Sequence, residues 1–127
     1  MKYVLCLCAL LALAAFPRMA EAQVLRMPLP TLPENQEVLV LEVTLAPGQT
    51  GSPHRHDAHV VVYVLEGRVN MQVEGGELRT LGPGQTFYEA PDDVHMVSAN
   101  ASGTEPARFL VYMIRTAGTP VTIPASD

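Results

Sequence analysis

The chain has 127 residues, a formal net charge of −5 at pH 7 and only two cysteines, Cys6 and Cys8. That length fits one domain with one core, and an acidic chain with no basic run excludes nucleic acid and anionic membranes as expected partners. Two cysteines confined to the first eight residues give no disulfide framework.

Residues 1–22 read as a secretory signal. Lys2 gives the charged start, residues 4–16 are an apolar run too short to span a bilayer, and Ala20-Glu21-Ala22 is a small-x-small cleavage site. Cleavage after Ala22 is expected, leaving residues 23–127 as a single secreted or periplasmic domain. Both cysteines leave with the signal. Loss of two cations (Lys2, Arg18) and one anion (Glu21) takes the formal charge from −5 to −6.

Residues 23–36 carry Pro28, Pro30 and Pro33, which fix φ and remove backbone donors, so they are expected to form an extended arm. Residues 37–45 (EVLVLEVTL) read as a strand ending at Pro47-Gly48. Residues 68–73 alternate cleanly, with Val69, Met71 and Val73 on one face. Glu74-Gly75-Gly76-Glu77 is a hairpin signal, since adjacent glycines accept the positive φ such turns need. Short strands follow over 78–81, 85–89 and 94–100. A last core strand over 108–114 puts Phe109, Val111 and Met113 on one side. Residues 116–127 are expected to be an extended surface tail. About seven short strands, a turn every eight to twelve residues and no helical period outside the signal predict an all-β barrel or sandwich.

The chemistry concentrates in residues 48–67 (GQTGSPHRHDAHVVVYVLEG), which hold three of the four histidines within six positions. His54 and His56 are two apart and share a face of an extended chain, so one strand offers two imidazoles to one ion. Arg55 between them is expected to face away. The apolar run 60–65 that follows places the pair at the mouth of a buried strand.

These residues resemble the cupin family. Gly48, His54, His56 and Gly67 match its first motif (glycine, His-x-His, glutamate, glycine), with Val60 at the glutamate position. Gly84 and His95 match the second; Pro91 lies in its turn, Ala90 and Asp92 replace the usual proline and glycine, and Asn100 falls one residue late. The resemblance implies a double-stranded β-helix, or jelly-roll, barrel and a divalent metal ion held by His54, His56 and His95. Iron(II) is favoured, with manganese, nickel or zinc as alternatives. Cupins that lack the motif glutamate resemble three-histidine dioxygenases, and a site without that carboxylate is one charge more positive. A homodimer is expected, because the arm 23–36 and the tail have little core of their own to dock on, and because the resemblance implies one, small cupins commonly pairing.

Two further residues are candidates for catalysis. Glu89 shares a face with Phe87 and reads as a fourth ligand, an acceptor for an imidazole N–H, a general base, or a solvated edge residue. His59 reaches the ion only if a bulge at Asp57-Ala58 turns it inward; otherwise it is an exposed or hydrogen-bonded histidine. Tyr63, Met71, Phe87, Met96 and Met113 are candidates for the cavity wall or the core. Asn100 is expected to close a turn through side-chain-to-backbone bonds. Two functions remain open: a metal-dependent enzyme acting on a small oxygenated organic molecule, as dioxygenase or Lewis-acid isomerase or cyclase, or a non-catalytic barrel that binds or senses a small ligand or a metal.

Overall fold

A computed structural model describes residues 20–28 and 32–126. The signal expected over residues 1–22 lies outside them, apart from its last three positions. Among the described residues there are ten strands: β1 (Ala20–Pro28), β2 (Gln36–Leu45), β3 (His54–Arg55), β4 (Ala58–Glu66), β5 (Val69–Val73), β6 (Arg79–Leu81), β7 (Thr86–Glu89), β8 (Val94–Asn100), β9 (Ala107–Thr116) and β10 (Ile123–Pro124). They form two five-stranded antiparallel sheets, β1-β2-β9-β4-β7 and β10-β3-β8-β5-β6. This is the all-β architecture that the strand pattern predicts, in the jelly-roll form that the family resemblance implies. Among the described residues, no helix is long and apolar enough to cross a membrane.

Alternation decides which side chains meet. On β4, Ala58, Val60, Val62 and Val64 face inward and His59, Val61 and Tyr63 face outward. On β9, Ala107, Phe109, Val111, Met113 and Arg115 are the inward set. These join Leu39, Leu41, Val43 and Leu45 of β2 and Val69, Met71 and Leu81 of the second sheet in one core. Each fully buried aliphatic side chain contributes roughly 1.5–3 kcal/mol.

Two turns need particular residues. Gly67 joins β4 to β5 at φ +70°, and a Cβ there would lie 2.5 Å from the Pro106 carbonyl oxygen and 2.8 Å from Ala107 Cα. Only glycine fits both the left-handed backbone and that approach. Asn100, at the end of β8, donates from Nδ2 to the carbonyls of Leu45, Ala46 and Glu105 and accepts from the Ser102 amide, tying three segments together as its polar side chain suggests.

The arm and the tail are more ordered than their composition implies. β1 hydrogen-bonds along β2, because β2 would otherwise be a bare edge with unpaired backbone groups. In the tail, β10 pairs with β3. Prolines marked both segments as extended, but nothing local in sequence names the strand that each meets.

Candidate metal centre

Register brings the histidines together. His54 on β3 lies directly opposite His95 on β8, and His56 follows β3 by one residue on the same side as His54. Their ligand nitrogens all lie within 4.8 Å of one another. The His54 and His56 rings stand nearly perpendicular with centroids 4.8 Å apart, and the His54 and His95 centroids are 5.2 Å apart. His56 and His95 are buried, and His54 is half-buried.

Backbone carbonyls orient two of the rings. His54 Nδ1 lies 2.8 Å from the Ser52 carbonyl oxygen, and His56 Nδ1 hydrogen-bonds to the Val121 carbonyl. A carbonyl only accepts, so in both rings Nδ1–H is the donor and Nε2 carries the lone pair. The Val121 contact comes from the tail, which thereby aims a histidine 65 positions earlier. Sequence reasoning missed it, since a backbone carbonyl leaves no side-chain signature.

Glu89 enters from the other sheet. It lies on β7, faces inward beside Phe87 and is 2% exposed, so it is not a solvated edge residue. Its Oε2 is 3.2 Å from His95 Nδ1 and 3.8 Å from His56 Nε2, yet it makes no hydrogen bond, and His95 Nε2 is likewise buried without a partner. Buried polar atoms are normally paired. Three imidazoles with a buried, unpaired carboxylate oxygen among them could hold a divalent cation, which would supply the oxygen's missing partner.

Burial also sets the protonation of His56. Desolvation pushes its pKa below 6.5; the Val121 carbonyl and the Glu89 charge oppose this, and burial prevails. A lowered pKa means that the unfolded chain takes up a proton near pH 6.5 that the folded chain refuses. The metal-free protein is therefore expected to lose stability as pH falls below 6.5, with no such contribution above it. Urea midpoints at pH 7.5 and 5.5, measured for the protein and for His56→Gln, check this: the variant should show the smaller drop.

The histidines and Glu89 sit on a pocket of about 440 Å³, its open mouth included. Leu41, Val43, Val62, Met71, Phe109 and Val111 form apolar walls; Ser98 and Thr122 add hydroxyls, and among the described residues no lysine or arginine lines it. Of the candidates for the wall, Met71 lines the pocket and Phe87 and Met113 lie in the core, whereas Tyr63 and Met96 are about 40% exposed.

The structure does not bring His59 to this centre. β4 has no bulge at Asp57-Ala58, its one irregularity lying between Val64 and Glu66. His59 therefore keeps its outward face, where its Nδ1 and the Tyr88 hydroxyl are 2.8 Å apart and the rings stack.

A cupin domain model matches residues 41–113. Among solved structures, the DMSP lyase DddQ from Ruegeria pomeroyi DSS-3 has a TM-score of 0.68 at 20% identity, over 85% of this chain and 52% of its own. The chain thus spans about half the length of that protein. A conserved protein with a double-stranded β-helix domain from Klebsiella pneumoniae gives 0.65 at 20% identity, over 83% of this chain and 84% of its own. A recombinant oxalate oxidase in complex with glycolate gives 0.58 at 25% identity, over 68% of this chain and 45% of its own. No curated protein matches the sequence.

Proposed function

The chain belongs to the cupin family, and from that premise we propose that it is a metal-dependent enzyme acting on a small oxygenated organic molecule, with iron(II) as the favoured ion and dioxygenation as the favoured reaction. The observation that carries this reading is the meeting of His54, His56 and His95, with ligand nitrogens within 4.8 Å, on an apolar pocket. A divalent ion held there would polarise an oxygen-bearing substrate as a Lewis acid, and iron would add redox capacity toward dioxygen. Similar folds belong to proteins described as a lyase and an oxidase, which supports an enzyme without naming its substrate.

The chain's own residues have definite tasks in this reading. Ser52 and Val121 hold His54 and His56 in the tautomer that presents Nε2. The apolar walls exclude water and orient the hydrocarbon part of a substrate. The oxygens of a substrate would meet the Ser98 and Thr122 hydroxyls and the metal centre. Oxygen uptake by the iron(II)-loaded protein, offered small catechols, diketones or flavonols, tests the proposal. Substrate-dependent consumption supports it; binding without uptake would favour the non-catalytic ligand-binding barrel.

Export and self-association belong to the same proposal. Cleavage after Ala22 would trim β1 to its last six residues, Gln23 onward; mass spectrometry of the exported protein should find Gln23 at the N-terminus, and an intact Met1 would refute this. A homodimer is also expected. The arm now has a partner in its own chain, so the better support is the outer face of the first sheet, where Val61, Tyr63, Tyr88, Tyr112 and Ile114 are each at least 40% exposed. Sedimentation at micromolar concentration should show a dimer; monomer alone would contradict it.

A further inference from the structure

Val60 stands where the first cupin motif has its glutamate, and its direct partner across the β4–β7 ladder is Glu89. Directly paired residues project to the same side with Cβ atoms roughly 4.5–5.5 Å apart. Both side chains point inward, Val60 at 0% and Glu89 at 2% exposure. We propose that Glu89 is the carboxylate ligand of the metal centre, the donor having moved from position 60 on β4 to its cross-strand partner on β7. This rests on the reading that His54, His56 and His95 hold a divalent ion.

Distances and alignment favour a ligand over an acceptor for an imidazole N–H. Glu89 Oε2 lies 3.2 Å from His95 Nδ1 and 3.8 Å from His56 Nε2. Donors that share one ion at bonds of about 2.0–2.2 Å stand roughly 3–4 Å apart. An acceptor oxygen would have an N–H aimed at it, yet Oε2 makes no hydrogen bond even to His95 Nδ1. His56 Nδ1 is already engaged by Val121, so the His56 atom facing Glu89 is the lone-pair nitrogen. A carboxylate set against two nitrogen atoms, without a proton aligned between them, is a donor array for a cation. The centre would then hold three neutral imidazoles and one anionic oxygen, and it would be one charge less positive than three histidines alone.

The test compares the protein, Glu89→Gln and the double variant Val60→Glu/Glu89→Gln, by titration with Co(II) and by the visible spectrum of the Co(II) form. Glutamine keeps the volume and a hydrogen-bond acceptor, so a positioning role would survive it. Glu89→Gln is expected to weaken Co(II) binding by more than the roughly 10–100-fold that loss of an outer partner costs and to shift the ligand-field bands. The double variant should regain most of that loss by offering the carboxylate from the adjacent strand. A Glu89→Gln spectrum identical to that of the unmodified protein would overturn the proposal, as would a folded double variant with no regained affinity. If the double variant fails to fold, the Glu89→Gln spectrum decides alone. An unmodified protein that takes up no Co(II) would instead refute the three-histidine centre itself.

Discussion

Replacing His95 with alanine or glutamine is expected to remove most of the bound divalent ion. His95 lies directly opposite His54 on the neighbouring strand and is 3% exposed. Its loss leaves two imidazoles and the Glu89 carboxylate, without the ring set directly opposite His54, and removing a ligand from so small a set takes most of the affinity for a divalent ion. The glutamine variant fills the space of the ring, which separates lost ligation from a packing defect of the kind that truncation to alanine creates. His54→Ala and His56→Ala should behave alike. His59→Ala should keep its metal, because His59 sits on the outer face against Tyr88. Metal per chain after loading and desalting is the readout, with less than about a tenth of an equivalent expected for each of the three ligand variants.

The second large effect concerns stability. Arg115 of β9 lies opposite Glu37 of β2, with Nε 3.7 Å from Oε1, and both are buried. Arg115→Leu would leave the Glu37 carboxylate inside the barrel, where breaking a buried pair costs about 3–5 kcal/mol. The low end is expected, because Arg26, itself half exposed, stays 3.6 Å from the other Glu37 oxygen. Replacing Glu37 and Arg115 together with leucine should cost less than Arg115→Leu alone, since no unpaired charge remains. Urea unfolding midpoints of the three proteins measure this. Arg115 also donates to the Thr119 hydroxyl, two residues before the Val121 carbonyl that orients His56. The same substitution should therefore weaken metal binding, though far less than removing a histidine.

Side-chain alternation made the inner faces of β5 and β9 legible before any pairing was known, and it put His54 and His56 on one side. The addition of His95 came from the resemblance to cupin motifs, since nothing in local spacing joins residues 41 positions apart. What was not legible depends on register. That Glu89 faces Val60, that β1 covers the edge of β2 and that Val121 reaches His56 are long-range pairings. Alternation names a face but not which strand lies beside it. His59 shows the same rule from the other side: a histidine adjacent in sequence to the ligand pair is excluded by one step of alternation, because no bulge interrupts β4 at that point. Tyr63 and Met96, large and apolar enough for a cavity wall, lie outside for the same reason.

The most direct test of the three-histidine centre is elemental analysis of the protein loaded anaerobically with iron(II), and separately with manganese, nickel and zinc, then freed of loose ion at pH 7.5. Close to one equivalent per chain is expected for at least one of these ions, lost in His54→Ala, His56→Ala and His95→Ala and kept in His59→Ala. Trace metal with all four ions, or a full equivalent retained in His95→Ala, would contradict it.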